Sequence, residues 1–224
     1  MLKPNKRLTK KQIKEDKFVT YYFKTQDYIQ KNQKIVSSVI IGIIAIVALS
    51  ILFVRSKRAA EASASIELAR AESALQENNL NTAIDMLKSL ADNYSGTKNA
   101  GRAVFQLANV YFERQDYEMA RQYYEQYLDD FGSDEIMASS AYSGIGASLE
   151  QKEEFLEAAY YYKKGADKHP EHFEAAQQLM SAARCFRLAN NKVEAKELYQ
   201  RIIDDYPKSN VVRNAEMMLS ELQG

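Results

Sequence analysis

Four segments of this 224-residue chain repeat one pattern at a nearly fixed interval. LNTAIDMLKSLADNYS, YEMARQYYEQYLDDFG, FLEAAYYYKKGADKHP and KVEAKELYQRIIDDYP align on Ala83, Ala120, Ala158 and Ala195, at spacings of 37, 38 and 37 residues. Such a period belongs to stacked supersecondary units, none of which can bury its apolar face alone. Four residues after each alanine stands Leu87, Tyr124, Tyr162 or Tyr199. Each segment closes on Tyr94, Phe131, His169 or Tyr206, followed by Ser95, Gly132, Pro170 or Pro207. Proline is absent between Pro4 and Pro170, and the body is rich in Ala, Glu, Gln, Lys, Leu and Arg. That composition forms helices and gives strands little support, so the fold class is all-α.

A second motif recurs upstream of the first: Val104-x-x-Leu107-Ala108-x-x-Tyr111, Tyr142-x-x-Ile145-Gly146-x-x-Leu149 and Leu179-x-x-Ala182-Ala183-x-x-Phe186. Each unit is therefore read as two antiparallel helices. Small residues let the pair approach closely, and large neighbours fill the gaps. The pattern resembles the tetratricopeptide repeat over residues 64–208, in four units. It departs from that family in its longer period, in Val104, Tyr142 or Leu179 at the consensus Trp position, and in a degenerate first unit built on Glu67, Arg70, Ala71 and Ala74. A stack of this kind exposes an apolar end. Residues 209–224 are expected to form a capping helix, with Ser209 at its start and Val212, Ala215, Met218, Leu219 and Leu222 on its inner face.

Residues 35–54, IVSSVIIGIIAIVALSILFV, carry no charge. As a helix they reach about 30 Å, the thickness of a bilayer's hydrocarbon core. Ala62-Ser63-Ala64 matches a signal-peptidase pattern. However, the basic segment before the run is long, the run exceeds an ordinary signal core, and Arg55, Lys57 and Arg58 follow it directly, so an uncleaved transmembrane anchor is expected. The apolar run also divides the charge. The chain holds 30 Lys/Arg and 30 Asp/Glu, yet residues 1–34 hold ten basic and three acidic groups, and residues 55–224 hold twenty and twenty-seven. A neutral chain is thus a basic arm joined to an acidic body.

The basic arm favours a cytoplasmic N-terminus. Within twenty residues of each end, however, the Lys/Arg count is balanced: Lys17, Lys24, Lys31 and Lys34 against Arg55, Lys57, Arg58 and Arg70. From Thr9 to Lys31 the arm places Ile13, Phe18, Tyr21, Tyr22, Thr25, Tyr28 and Ile29 largely on one helical side among lysines, a pattern suited to anionic lipid. Nucleic acid is not expected as a partner, since tethering at a bilayer accounts for the basic charge. Residues 55–63 read as a helical connector without Gly or Pro. The membrane helix is expected to continue into the first repeat helix and hold the repeats near the membrane.

Catalytic chemistry needs residues that are scarce here, with two histidines and one cysteine. His169-Pro170-Glu171-His172 looks ligand-like but has no third ligand close in sequence. Cys185 reads as a small core residue. Gly144-x-Gly146 lacks the third glycine and preceding strand of a dinucleotide loop and reads as helix packing. No enzyme activity, catalytic residue, metal, cofactor or small-molecule substrate is expected.

The tetratricopeptide resemblance implies a groove lined by the first helix of each unit. By the alignment it receives Leu68, Glu72 and Gln76, then Arg102, Phe105, Asn109 and Phe112, then Ser140, Ser143 and Ala147, then Gln177, Met180, Arg184 and Arg187. Phe105, Phe112 and Met180 are large apolar groups where polar ones would serve a soluble stack, which points to protein binding.

A Lys-rich arm, one membrane helix and long-period repeats with Tyr-Pro helix ends are most similar to the bacterial ancillary subunit of the Sec translocon. That resemblance implies a cytoplasmic N-terminus, a periplasmic repeat domain in the inner membrane, and association with the channel and periplasmic folding factors. The repeats alone are also similar to envelope repeat proteins of outer-membrane assembly and cell-division coordination. Those are lipoproteins or soluble periplasmic proteins, and here no lipobox cysteine lies near the N-terminus. A cytosol-facing import receptor is a third resemblance. Arg102 and Asn109 match its carboxylate clamp, but Phe105 takes the place of the central clamp lysine.

Overall fold

A computed structural model describes residues 17–223. Their helices are α1 (Lys17–Lys31), α2 (Gln33–Gln76), α3 (Leu80–Asn93), α4 (Lys98–Glu113), α5 (Tyr117–Phe131), α6 (Glu135–Gln151), α7 (Phe155–Lys168), α8 (Ala175–Leu188), α9 (Lys192–Asp205) and α10 (Val212–Gln223). No strand occurs among the described residues. The chain divides into two compact units at Ser56 and Lys57.

In the first unit, the amphipathic segment expected from Thr9 onward is described from Lys17, and Ile13 lies outside the described residues. Tyr21, Tyr22 and Tyr28 of α1 are exposed, as are Ile35 and the large apolar side chains of α2 from Val39 to Val54. By length and composition α2 is sufficient to cross a membrane. Helical φ/ψ continues through Arg55, Lys57 and Arg58 without a break, as the absence of Gly and Pro there permits.

In the second unit, α3 through α10 each pack on the next helix in the chain, and α4 also meets α6. The pairs α4/α5, α6/α7 and α8/α9 are the second to fourth repeats. Leu68 and Ala71 of α2 share the core with Ile84 and Leu87 of α3, which makes the first. Ala83, Ala120, Ala158 and Ala195 are fully buried. A methyl group at that position lets the paired helix backbones approach, while Tyr127, Tyr199, Phe186, Leu107, Ile145 and Leu179 fill the space beside them. The two glycines of α6 take this further. Gly144 lies under the ring of Tyr124, and a Cβ there would overlap it; a Cβ on Gly146 would stand 2.9 Å from the ring of Tyr162. One helix thus accepts a tyrosine from the preceding repeat and another from its own partner.

Every turn between the two helices of a repeat is closed in the same way. Asn78, Gln115, Glu153 and Asn190 have φ of 58–62°, and each lies five residues before its aligned alanine. The following amide reaches back to a carbonyl of the first helix: Asn79 to Ala74, Asp116 to Tyr111, Glu154 to Leu149, and Asn191 to Phe186, at 2.8–2.9 Å. This left-handed closure satisfies the carbonyls that a helix C-terminus leaves unpaired and turns the chain back on itself.

Two of the turns between repeats carry side-chain caps. Thr97 caps α4 at the Ala100 amide, and Asp134 caps α6 at the amides of Ile136 and Met137. Glu61, on α2, adds a cap from outside: its carboxylate accepts from the Lys98 and Asn99 amides at 2.9 and 3.1 Å and from Asn99 Nδ2 at 2.7 Å. At the far end, the Val211 amide approaches Ser209 Oγ at 3.5 Å, Ala215 of α10 is fully buried, and Val212, Met218, Leu219 and Leu222 pack on the core. The stack is thereby capped.

Candidate functional site

The first helices of the repeats, α4, α6 and α8 with the end of α2, carry the residues singled out from the sequence. They are held in register by polar contacts that step from one repeat to the next. Gln106 Nε2 donates to Glu72 at 2.8 Å. Ser140 Oγ donates to Glu174 at 3.4 Å. The buried Gln178 amide donates to Ser139 O, Ser139 Oγ and Ser143 Oγ at 2.9, 3.0 and 2.8 Å. Arg184 pairs with Glu150 through both terminal nitrogens, with Nη2 to Oε2 at 3.0 Å, and the Tyr162 hydroxyl donates to the same carboxylate at 3.2 Å. Forked pairing of this kind restricts both side chains more than a single contact does.

These contacts sort the candidate residues. Arg102, Gln177 and Arg187 are exposed. Asn109, Ser143 and Arg184 are half-buried and already engaged: Asn109 accepts from the Tyr124 hydroxyl at 2.5 Å, Ser143 from Gln178, and Arg184 is bound to Glu150. Phe105 packs edge-on against both Tyr124 and Tyr127 at 5.5 Å, and Phe112 against Tyr117 at 5.3 Å. Leu68 and Met180 differ from the sequence expectation. Both lie in the core, Met180 with 8% of its surface accessible: it stands on the same side of α8 as Gln177 and Arg184, three residues after one and four before the other, and is covered by its neighbours in the core cluster. Ring contacts thus occupy part of the apolar character assigned to the groove. The accessible face is mainly polar, built of arginines, amides and the flanks of two phenylalanines.

Burial raises the Tyr124 and Tyr127 hydroxyls to about 12, keeping both neutral hydrogen-bonding groups. Burial likewise pushes the Cys185 thiol up, opposite to the shift that makes a thiolate reactive. The His172 ring lies tilted against Phe173, with centroids 4.3 Å apart, and faces Glu174 at 3.9 Å. Among the described residues no group of three His, Cys, Asp or Glu side chains is placed to hold a metal. Of the residues compared with a carboxylate clamp, Arg102 is exposed, Asn109 accepts from the Tyr124 hydroxyl, and Phe105 packs against Tyr124 and Tyr127.

The sequence profile of the family described as "YfiO: Outer membrane lipoprotein" matches residues 61–224. "Uncharacterized protein ycf37" of Cyanophora paradoxa is 27% identical over 116 residues, covering 52% of this chain and 66% of that protein, just under two thirds of its length. Among solved structures, the apo form of RapI overlays with a TM-score of 0.57 at 12% identity, covering 72% of this chain and 63% of its own. "MamA 41-end from Desulfovibrio magneticus RS-1" overlays at 0.52 with 16% identity, covering 71% of this chain and 90% of its own. At these identities the two structures speak to the fold alone, an all-helical repeat solenoid.

Proposed function

The chain belongs to the YfiO outer membrane lipoprotein family through residues 61–224, and we propose that it is a membrane-anchored scaffold of the bacterial cell envelope. The fold is a tetratricopeptide-like scaffold for protein–protein interaction. The observation that carries the fuller reading is the order of its parts: a Lys-rich arm, an exposed apolar helix long enough to span a bilayer, then a capped repeat domain. In this reading residues 1–34 lie on the cytoplasmic side against anionic lipid, residues 35–54 span the inner membrane, and residues 64–208 work in the periplasm. The face carrying Arg102, Gln177 and Arg187 binds protein, with channel subunits of the Sec translocon and periplasmic folding factors as partners. Scaffolding is the role that the matched helical-repeat family supports.

The family match favours a second reading, an envelope-assembly scaffold independent of Sec. Cys185 is buried in α8, and in both readings the apolar part of α2 is the proposed membrane attachment. Purification of the full-length chain in mild detergent separates the two. Recovery of Sec channel subunits is expected. Recovery of outer-membrane assembly factors without them overturns the Sec assignment. The side of the membrane is tested in spheroplasts, where added protease degrades the repeat domain; full protection contradicts the periplasmic placement.

A further inference from the structure

Equivalent positions in a repeat stack act as controls for one another, because each has the same backbone surroundings. Two residues before the aligned alanine the chain carries Asn81, Glu118, Leu156 and Val193. Two residues after it stand Asp85, Gln122, Tyr160 and Glu197, and seven before it Gln76, Glu113, Gln151 and Leu188. The first two repeats are polar at all three positions, so packing does not require an apolar side chain there. In the third and fourth repeats Leu156, Tyr160, Leu188 and Val193 are apolar yet 48%, 54%, 47% and 65% exposed.

Leu156 and Tyr160 border a cleft of about 520 Å³ with Phe155 and Ala189; Leu188 directly precedes Ala189 in the chain, and Val193 follows it by four residues. The Tyr160 ring is steadied edge-on against Phe186 at 5.3 Å. The rim is acidic. Glu153, Glu154 and Glu157 line the cleft; Glu154 is paired with Lys152 at 2.8 Å, while Glu153 and Glu157 make no ion pair among the described residues. Clustered exposed apolar groups ringed by charge mark a docking surface on a soluble domain.

We propose that this edge of the third and fourth repeats docks a protein segment that presents a large apolar side chain flanked by Lys or Arg. Charge complementarity selects this occupant. A second copy using the same face would bring its own Glu153 and Glu157 against these, and an anionic bilayer would meet the same repulsion. The apolar group enters the cleft between Leu156 and Tyr160, and its basic neighbours reach Glu153 and Glu157. The site lies on second helices, the turns before them and the last residue of α8, apart from the face of Arg102 and Gln177, so either stands if the other fails.

The test uses the full-length chain in phosphatidylcholine nanodiscs, with 13C-methyl NMR signals of Leu156, Leu188 and Val193 as reporters. The probe is the peptide KKLFKK, with EELFEE and KKSSKK as counterparts. KKLFKK shifts the three reporters saturably and leaves the core Leu87 and Leu107 methyls in place. EELFEE and KKSSKK do not, and Leu156→Glu with Val193→Asn weakens binding about tenfold or more. These substitutions install residues that the second and first repeats already carry at the same positions, and an unchanged thermal midpoint confirms that the fold tolerates them. Glu153→Gln with Glu157→Gln weakens KKLFKK binding at low salt and has little effect at high salt. Absence of saturable shifts, equal response to EELFEE, or reporter shifts produced by raising protein concentration alone overturns the proposal.

Discussion

Gln115 closes a helix pair in a backbone conformation that side chains other than glycine adopt at a cost, with φ at 62°. Replacing it by Gly removes the contact between Cβ and the carbonyl oxygen, at the expense of a more flexible unfolded chain, and the net expectation is a gain of about 0.5–1 kcal/mol in stability. A higher thermal midpoint of the full-length variant checks this. The opposite sign is expected at Gly146, where Ala places a methyl against the Tyr162 ring in a filled core and costs about 1–3 kcal/mol. Charge gives a third residue-level test. Hydrogen bonds from Lys152, Arg121 and Gln122 hold the Glu118 carboxyl at about 2. Because its folded pKa is depressed, the contribution of Glu118 is present above the ordinary carboxylate range and is lost as pH falls toward 2. Carboxyl 13C titration of Glu118 is expected to show this low value, and Lys152→Gln raises it; a titration midpoint in the ordinary range in the wild-type chain contradicts the arrangement. The aligned alanines and glycines were legible because small residues recurring at a fixed period mark close helix approach. The left-handed closures were not, since their residue types, Asn, Gln, Glu and Asn, share no common signature beyond position.

Among the helices, α2 joins its part of the fold to the second repeat through Glu61, whose carboxylate caps the free amides of α4. Glu61→Ala leaves those amides to solvent and Asn99 without its side-chain partner, for a loss of about 1–2 kcal/mol; Glu61→Gln, which keeps the acceptor oxygen, recovers part of it. Thermal or denaturant unfolding of the full-length chain checks both, and equal loss in the two variants would point to charge rather than capping. Helix number, pairing and the final cap followed from the period, from Pro170 and Pro207, and from the apolar face of residues 212–222. The contact of Glu61 with Lys98 and Asn99 was invisible because it spans 37 and 38 residues and no local pattern marks it. Packing between helices also decided the fate of the candidate groove. The alignment put Phe105, Phe112 and Met180 on the first helices, but Phe105 and Phe112 are held by Tyr124, Tyr127 and Tyr117 of neighbouring helices, and Met180 lies in the core. A single sequence specifies helix faces to within a residue or so, and one residue separates exposed Gln177 from buried Gln178.

At the scale of the molecule, zero net charge conceals a basic arm and an acidic repeat body separated by an apolar helix segment. The repeat stack offers two unlike surfaces, a polar face of arginines and amides on the first helices and an acid-rimmed apolar edge in the last two repeats. That division suits a scaffold that holds more than one partner. The most direct measurement is photocrosslinking in living cells from the full-length chain, with a photoreactive residue in turn at Arg102, Gln177 and Arg187, and at the exposed Asp129 on α5, which lies on neither surface, as the control. Discrete protein adducts from the first three positions and none from Asp129 are expected. Lipid adducts alone, or the same adducts from Asp129, would contradict protein binding through the first-helix face.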